Sequence, residues 1–279
     1  MPSDLDSGSA DYCQDQVRQF DHDRYLTVLF AEAEARPDLF ALYAFNLEVA
    51  KTAEVVTEPM LGQIRLQWWR DAIGEIYEGT PRRHEVIEPL AKTIKSKGLD
   101  RALFDRLIDA REQDLLDTAP PHIAALTDYA EATGGCLAQL AEQILGGPGS
   151  PAAAAAGRAY ALAGLARAIP LHASRRQTFL PTSLVTDVAV NMGDLFELRP
   201  HLALAKAVEQ LCGLIATGLG EIGPMPGRRQ RPALLCATLA RLYLKSLKRA
   251  GFDPFDDKVQ RPHAGRTWAL LWASMRGVV

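Results

Sequence analysis

The sequence predicts an all-α fold, and two observations support this. Apolar residues recur with the 3.6-residue period of a helix along nearly the whole chain, and no sustained alternation of β-branched and aromatic residues predicts a strand. With 279 residues and 48% hydrophobic content, the chain can bury a complete core. We therefore expect a single helical domain over residues 23–279, preceded by a flexible acidic segment over residues 1–22.

The predicted helices have identifiable starts and stops. They cover residues 39–57, 60–77, 103–116, 128–145, 152–172, 202–217 and 233–250. Asp38 is the expected N-cap of the first helix, and Asp128 begins the fourth. The GGPGSP run over residues 146–151 is interpreted as a turn between helices, and Lys248 followed by Gly251 suits a helix C-terminus.

Pro170 lies within the last turn of the helix predicted over residues 152–172. Its ring removes one amide donor and disfavours helical geometry at the preceding residue, Ile169. The helix is therefore expected to kink or end beside Ala168 and His172.

Composition excludes several classes of protein and of site. The four cysteines have neither CxxC spacing nor the density of a disulfide scaffold, which is typical of a reducing compartment. No run of about eighteen apolar residues predicts a transmembrane helix, and the N-terminus resembles neither a signal peptide nor a transit peptide. The histidines fall in no nucleophile motif. We expect a cytoplasmic protein without a nucleic-acid partner.

Charge is unevenly distributed along the chain. The net charge of −3 divides into +8 over residues 226–279 and −11 before them. Trp268 and Trp272 stand near Arg266 and Arg276, a pattern that suits a surface lying on the anionic inner face of a membrane. Three alternatives stay open: a solvated helix face, a surface for an acidic protein partner, and tryptophans that pack the last helix onto the bundle.

Three segments contain residue patterns that point to a function. They read ALYAFNLEVAKTAEVV at residues 41–56, RLQWWRD at 65–71 and LARAIPLHASRRQTFLP at 165–181. Together they resemble the squalene/phytoene synthase family. The resemblance implies an isoprenoid-synthase bundle around a central cavity, in which active members join two prenyl diphosphates head to head. It also implies two facing aspartate pairs, each four residues apart, that hold Mg²⁺.

At those four positions this chain has Ala50 with Glu54 and Ala168 with His172. Residues four apart share a helix face, so paired carboxylates converge on one cation. Mg²⁺ prefers about six oxygen ligands, whereas alanine offers none and histidine suits other metals. Lys51 adds a positive charge beside the first pair. We therefore expect no bound metal, no other cofactor and no prenyl transfer.

Basic residues near these motifs suggest an anion or ligand pocket that needs no metal, because guanidinium groups bind phosphate directly. Its candidate members are Glu48, Arg65, Trp69, Arg167, Arg175 and Arg176. The alternative is that Arg65 and Arg175 pair with Glu48 and Glu54, and that the tryptophans are core. Two further carboxylate pairs at helical spacing are interpreted as solvated helix faces: Asp105 with Asp109, and Asp71 with Glu75.

A few short segments resemble one branch of the family in particular. They are Asp23-Arg24-Tyr25-Leu26, Asn46-Leu47-Glu48 and His172-Ala173-Ser174-Arg175-Arg176. They resemble the branch of the family that includes a mitochondrial complex I assembly factor and its alphaproteobacterial relatives. The branch implies a non-catalytic factor for the respiratory NADH:quinone oxidoreductase, with complex I subunits or other assembly factors as partners. Two alternatives stay open: a prenyl diphosphate synthase that uses Mg²⁺ through Glu54 and Glu48, and binding of a prenyl or quinone-like lipid without chemistry.

Overall fold

The structure is a computed structural model that describes residues 4–56, 58–116, 118–223 and 227–277. Within these ranges every regular element is helical. The α-helices are α1 Asp4–Phe20, α2 His22–Val28, α3 Arg36–Ala50, α4 Thr52–Val55, α5 Pro59–Glu78, α6 Ile87–Lys97, α7 Arg101–Ala110, α8 Ile123–Ala130, α9 Cys136–Ile144, α10 Pro151–Arg167, α11 Ile169–Ser174, α12 Thr182–Asp187, α13 Met192–Phe196, α14 Leu202–Gly220, α15 Arg231–Arg249, α16 Asp257–Gln260 and α17 Arg266–Arg276. Residues 33–35 and 111–115 form 3₁₀ turns, and residues 131–135 form a π-helical turn.

Helix α10 lies at the centre of the bundle and packs against α9, α14, α15 and the π-helical turn. Its sequence is rich in alanine, so neighbouring helices approach its backbone closely. The closest approach joins Gly157 of α10 to Gly134 of the π-helical turn: a Cβ on Gly157 would lie 2.0 Å from the Gly134 carbonyl oxygen. These two glycines allow the backbones of α10 and the π-helical turn to pack in direct contact.

The break predicted beside Pro170 is confirmed. Helix α10 ends at Arg167, Ala168 is the capping residue, and α11 begins at Ile169 with Pro170 in its first turn. Proline suits that position because the first-turn amides have no intrahelical partner. The turn predicted over residues 146–151 is also confirmed, with Gly146 and Gly149 at φ of 82° and 72°.

Two predicted helix starts are wrong. Helix α3 begins at Arg36 with a proline in its first turn, and Asp38 instead accepts hydrogen bonds from Thr93 Oγ1 at 2.9 Å and Lys97 Nζ at 3.2 Å. Helix α8 begins at Ile123, five residues before Asp128, and the ring of its capping histidine accepts from an amide of its first turn. A proline starts α3 and the His122 ring caps α8, so neither helix begins at the predicted aspartate.

The N-terminal helix α1 packs against α3 and buries Cys13 and Val17. The described residues 4–20 are therefore helical where a flexible segment was predicted over residues 1–22, because two apolar residues four apart form one face that the core covers. Residues 1–3 of that prediction lie outside the described residues. The start of a domain at residue 23 stays a prediction. Burial raises the pKa of Cys13 to about 12, so this thiol is protonated.

One helix in the described part of the chain, Leu202–Gly220, is long and apolar enough to cross a membrane. The absence of such a helix was predicted because polar residues interrupt each apolar run. Helix α14 packs against α10 and α15 and buries Leu204, Val208 and Leu211, as the core helix of a bundle does.

Candidate functional site

Two adjoining compartments lie in the middle of the bundle. The outer compartment has a volume of 260 Å³ and includes the exposed side chains of Glu54 and Arg175. The inner compartment has a volume of 220 Å³ and reaches the buried Asn46 and the α10 wall. Three residues line both compartments and stand between them: Arg111, Tyr129 and Leu165.

The four degenerate motif positions divide between these compartments. Ala50, Glu54 and His172 line the outer compartment, and Ala168 lines the inner one. Glu54 is paired with Arg175, whose Nη1 lies 3.6 Å from Oε1. Among the described residues, no group of three His, Cys, Asp or Glu side chains could hold a metal ion. The surviving carboxylate of the motifs is thus compensated by an arginine.

A hydrogen-bonded triad of Arg111, Asp114 and Tyr129 separates the compartments. Arg111 Nη1 donates to Asp114 Oδ2 at 3.1 Å and to Tyr129 Oη at 2.9 Å, and Tyr129 donates to Asp114 Oδ1 at 2.6 Å. Burial raises the pKa of Tyr129 in spite of the neighbouring guanidinium, so the phenol keeps its proton. Burial alone would lower the pKa of Arg111, but Tyr129 and Asp114 hold it above its usual value.

Asp23 lies behind the inner compartment and binds two tyrosines that line it, Tyr160 and Tyr243. Its Oδ2 accepts hydrogen bonds from Tyr160 at 3.2 Å and from Tyr243, while its Oδ1 accepts from Arg266 Nη1 at 2.9 Å. Burial and the charge of Asp23 raise the pKa of Tyr243, so this phenol keeps its proton. The carboxylate thus joins helices α2, α10, α15 and α17.

Arg167 lines the inner compartment and stacks on the Tyr243 ring, with its Cζ 3.9 Å from the ring centroid. Its Nε donates to the carbonyl of Val259 at 3.0 Å, and Nη2 donates to that of Gln260 at 3.3 Å. No described carboxylate forms an ion pair with it. Arg167 therefore brings a positive charge to the compartment that backbone carbonyls satisfy only in part.

The predicted anion pocket does not form as one site. Arg65 Nη2 donates to Glu48 Oε2 at 2.9 Å, away from both compartments, and Trp69 is core at 1% exposed. Arg176 adopts a φ of 57° and lies over the ring of Phe196. The prediction grouped these arginines because they lie near the degenerate motifs in the sequence. In the structure, each side chain is positioned by a carboxylate or an aromatic ring on another helix. The alternative pairing of Arg65 with Glu48 and of Arg175 with Glu54 is observed.

One residue of the predicted membrane surface, Arg266, does not lie on that surface. Arg266 is largely buried in its ion pair with Asp23, because the first turn of α17 faces the bundle. Trp268 and Trp272 are 75% and 58% exposed, so they do not pack the last helix onto the core. The Arg276 guanidinium lies 3.8 Å from the centroid of the Trp272 ring.

Arginines hold three of the four carboxylates in the two surface pairs, and Asp71 accepts from Gln67 Nε2 at 2.7 Å. Asp109 accepts from Arg70 at 2.8 Å, Asp105 accepts from Arg101 at 3.3 Å, and Glu75 pairs with Arg82. These pairs are on solvated helix faces, as predicted.

Sequence reasoning missed the residues that shape the compartments. Arg111 and Asp114 fall within a stretch predicted only as an amphipathic helix, and nothing in their spacing points to Tyr129. Asp23 and Arg24 belong to a marker of the resemblance, which was the available signal for that end of the cavity.

His172 is expected to make stability depend on pH. Burial lowers its pKa below 6.5, although nearby Asp114 opposes this, so the folded state disfavours the charged ring. The unfolded chain then binds the proton more readily, and stability should fall as pH drops below 6.5 through the lowered pKa. Urea unfolding across this range should show the fall, and His172→Gln should reduce it. An NMR titration of the ring with a midpoint at or above 6.5 would contradict this expectation.

Comparison with solved structures shows the fold. A dehydrosqualene synthase crystal structure superposes with a TM-score of 0.82 at 17% identity, covering 96% of both chains. A squalene synthase from Alicyclobacillus acidocaldarius superposes with a TM-score of 0.76 at 19% identity, covering 91% of this chain and 98% of that one. The isoprenoid-synthase architecture expected from the sequence is therefore confirmed.

Comparison with protein sequences shows the family. The complex I assembly factor 6 of NADH dehydrogenase (ubiquinone) from Bos taurus is 31% identical over 276 residues, which cover 97% of this chain and 83% of that protein. A presqualene diphosphate synthase from Rhodopseudomonas palustris is 28% identical over 163 residues, covering 57% of this chain and 58% of that enzyme. The model of the squalene/phytoene synthase family matches residues 17–268, so the chain belongs to that family.

Proposed function

We propose that this protein is a non-catalytic assembly factor for the respiratory NADH:quinone oxidoreductase. One observation carries the proposal. Of the four positions where the family's aspartate pairs were expected, only position 54 has a carboxylate, and Glu54 is paired with Arg175. The relatives from Bos taurus and Mus musculus, which match 97% and 91% of this chain, are named as complex I assembly factors. This support favours a partner in complex I assembly over a prenyl diphosphate substrate.

The division of the cavity into two small compartments also argues against prenyl transfer and against a bound prenyl or quinone-like lipid. The compartments measure 260 and 220 Å³, whereas pockets for drug-sized ligands occupy about 300–1,000 Å³. The triad of Arg111, Asp114 and Tyr129 divides them. Two prenyl chains would have to displace this buried ion pair to lie side by side.

Gene deletion tests the proposal. Loss of the gene should lower the amount of assembled NADH:quinone oxidoreductase on native gels, and its membrane activity should fall in parallel. Both should return with the wild-type gene and with Glu54→Ala, since a non-catalytic factor needs no metal carboxylate. Rescue by wild type but not by Glu54→Ala would favour the enzyme with an altered metal site. An unchanged complex after deletion would contradict the assembly role.

Magnesium provides a prediction on the purified protein. Millimolar Mg²⁺ should leave the melting temperature unchanged, with or without added diphosphate, because a ligand selective for the native state would raise it. Incubation with farnesyl and geranylgeranyl diphosphate plus Mg²⁺ should give no C30 or C40 product. A rise of several degrees that needs both Mg²⁺ and diphosphate, or any such product, would contradict the non-catalytic proposal.

We further propose that α17 lies on the anionic inner face of the membrane. Trp268, Leu271, Trp272 and Met275 follow the spacing i, i+3, i+4 and i+7, and all are exposed. Amphipathic helices with tryptophan on one face and cations beside it lie in the interface plane. Arg276, stacked on Trp272, supplies an exposed cation at that face.

Vesicle co-sedimentation measures this contact. The protein should bind vesicles that contain anionic phospholipid at low salt, and binding should weaken as salt passes about 0.15 M, where the screening length is about 8 Å. Trp268→Gln with Trp272→Gln should reduce binding strongly, whereas Leu202→Gln on α14, equally exposed, should not. Equal binding of both variants, or no binding to anionic vesicles, would leave α17 without a membrane role.

A further inference from the structure

The cations near the C-terminus divide into two groups in the structure. In the first group each guanidinium has a partner, as in the pairs of Arg229 with Glu32, Arg261 with Asp257 and Arg266 with Asp23. The second group lies on α15, and its four members are exposed: Arg241, Lys245, Lys248 and Arg249. No described residue forms a hydrogen bond, an ion pair or a ring contact with any of them. The free part of the positive charge over residues 226–279 is therefore concentrated on α15.

These four cations share one side of the helix, here called the α15 basic face. They follow the spacing i, i+4, i+7 and i+8, which places side chains on one side of a helix. Like charges four residues apart repel and destabilise a helix, and no described carboxylate forms an ion pair that offsets this repulsion. An anionic surface against the α15 basic face would offset the repulsion and attract all four charges together.

The helix C-terminus explains only half of the α15 basic face. Lys248 and Arg249 lie in the last turn of α15, where cations interact favourably with the partial negative charge of the last carbonyls. That effect falls off within one turn, and Arg241 and Lys245 lie further from the end. An anionic partner accounts for all four cations.

The composition of the α15 basic face indicates which kind of anionic partner fits. Surfaces that bind proteins are enriched in aromatic residues and depleted in Lys, whereas this face has two lysines and no aromatic residue. Among the described residues, the large apolar side chains that are exposed include none from α15, so this face has no anchor for a pocket in a protein partner. Clusters of about four to eight Lys and Arg on one helix are typical of surfaces that lie on anionic lipid.

The position of the α15 basic face in the fold favours the same partner. Helix α17 packs on α15, and Arg231 at the start of α15 donates to the carbonyl of Ser274 near the end of α17 at 2.7 Å. The helix that carries the exposed Trp268 and Trp272 is thus a direct neighbour of the helix that carries the free cations. Apolar anchors and cations near each other are what a protein needs to attach to an anionic bilayer without crossing it.

We propose that the α15 basic face binds the anionic headgroups of a phospholipid bilayer. The face supplies the electrostatic part of the attachment, and the exposed side chains of α17 supply the apolar part. The inference deepens the proposed membrane contact of α17 and rests on it for the bilayer as partner.

Partition coefficients on vesicles of phosphatidylcholine with increasing shares of phosphatidylglycerol test the proposal. Lys245→Gln with Lys248→Gln should lower the partition coefficient on phosphatidylglycerol-rich vesicles about thirtyfold, because each cation near an anionic surface contributes about 1 kcal/mol. The matched control is Arg83→Gln with Lys95→Gln, which removes the same charge from exposed positions outside α15 and should leave the coefficient nearly unchanged. Wild-type binding by the α15 variant, or equal losses in both variants, with folding verified by melting, overturns the proposal.

The result for α15 is separable from the result for α17. Trp268→Gln with Trp272→Gln should bind all vesicles more weakly and still prefer those with phosphatidylglycerol, because the α15 basic face is intact. If this variant binds as the wild type does, the contact of α17 fails, and the thirtyfold loss in the α15 variant still supports the α15 proposal. A tryptophan variant without any preference for phosphatidylglycerol overturns the α15 proposal.

A dye on the α15 basic face measures contact directly. The native cysteines Cys13, Cys136, Cys212 and Cys236 are buried, so a thiol dye labels an added exposed cysteine selectively. On phosphatidylglycerol vesicles, a dye at Arg241→Cys should become shielded from acrylamide quenching, whereas a dye at Lys95→Cys, which removes the same charge, should not. A dye at position 241 that stays as accessible on vesicles as in solution overturns the proposal and leaves the face to an acidic protein partner.

Discussion

Gly157→Ala is expected to lower the free energy of unfolding by about 3 kcal/mol, near the upper end of overpacking effects. The added Cβ would lie 2.0 Å from the carbonyl oxygen of Gly134 and 2.6 Å from its carbonyl carbon. Both are backbone atoms, so no side-chain rotation relieves the clash, and α10 must move away from the π-helical turn. Urea unfolding with an unchanged m-value would measure the loss.

Gly164→Ala is the matched control, because Gly164 lies on the same helix and a Cβ there meets no described atom within 4 Å. Replacing an exposed helical glycine by alanine should raise stability by up to about 1 kcal/mol. Equal effects of the two substitutions would contradict the close packing of α10 on the π-helical turn.

Asp114→Ala is expected to cost up to about 3–5 kcal/mol of unfolding free energy, the range for breaking a buried ion pair, because its pair with Arg111 is largely buried. It leaves the Arg111 guanidinium without its carboxylate and Tyr129 without the acceptor for its hydroxyl. Replacing both charged residues, Arg111→Met with Asp114→Leu, should recover much of the loss because no unpaired charge then remains buried. Chemical denaturation of the wild type and of these two variants measures the differences.

The control for this prediction is Asp257→Ala, which breaks the pair between Asp257 and Arg261 at 2.8 Å. Both of its side chains are exposed, and solvent-exposed pairs contribute at most about 1 kcal/mol. A similar small loss for Asp114→Ala would mean that the triad does not stabilise the partition between the compartments.

Much of the helical architecture could be predicted from local sequence. The break at Pro170 and the turns at Gly146 and Gly149 depend on backbone chemistry within a few residues, and each is found where it was expected. Asp38 and Asp128 failed as helix starts because a proline and the His122 ring start these helices earlier in the chain. The hydrogen bond of Asp38 to Thr93 joins residues far apart in the chain, and no local pattern encodes it.

The site was predictable only in part for the same reason. Ala50, Glu54 and His172 do meet in one compartment, which the family resemblance implied. The partition depends on Tyr129 reaching Arg111 across 18 residues of chain, which is settled by how α8 packs. Arg65 and Arg176 were assigned to a shared pocket from proximity in sequence, yet their partners lie on different faces of the bundle.

Asp23 has a thermodynamic consequence for the whole molecule. The same carboxylate receives Arg266 from α17 and the hydroxyls of Tyr160 and Tyr243 from the cavity wall. A contact that draws α17 away from the bundle changes the hydrogen bonding of both tyrosines, and a molecule that engages those hydroxyls changes the hold on Arg266. Such coupling is reciprocal: each event alters the affinity of the other by the same factor. A molecule bound at the two tyrosines and a partner bound to α17 would therefore each change the affinity of the other.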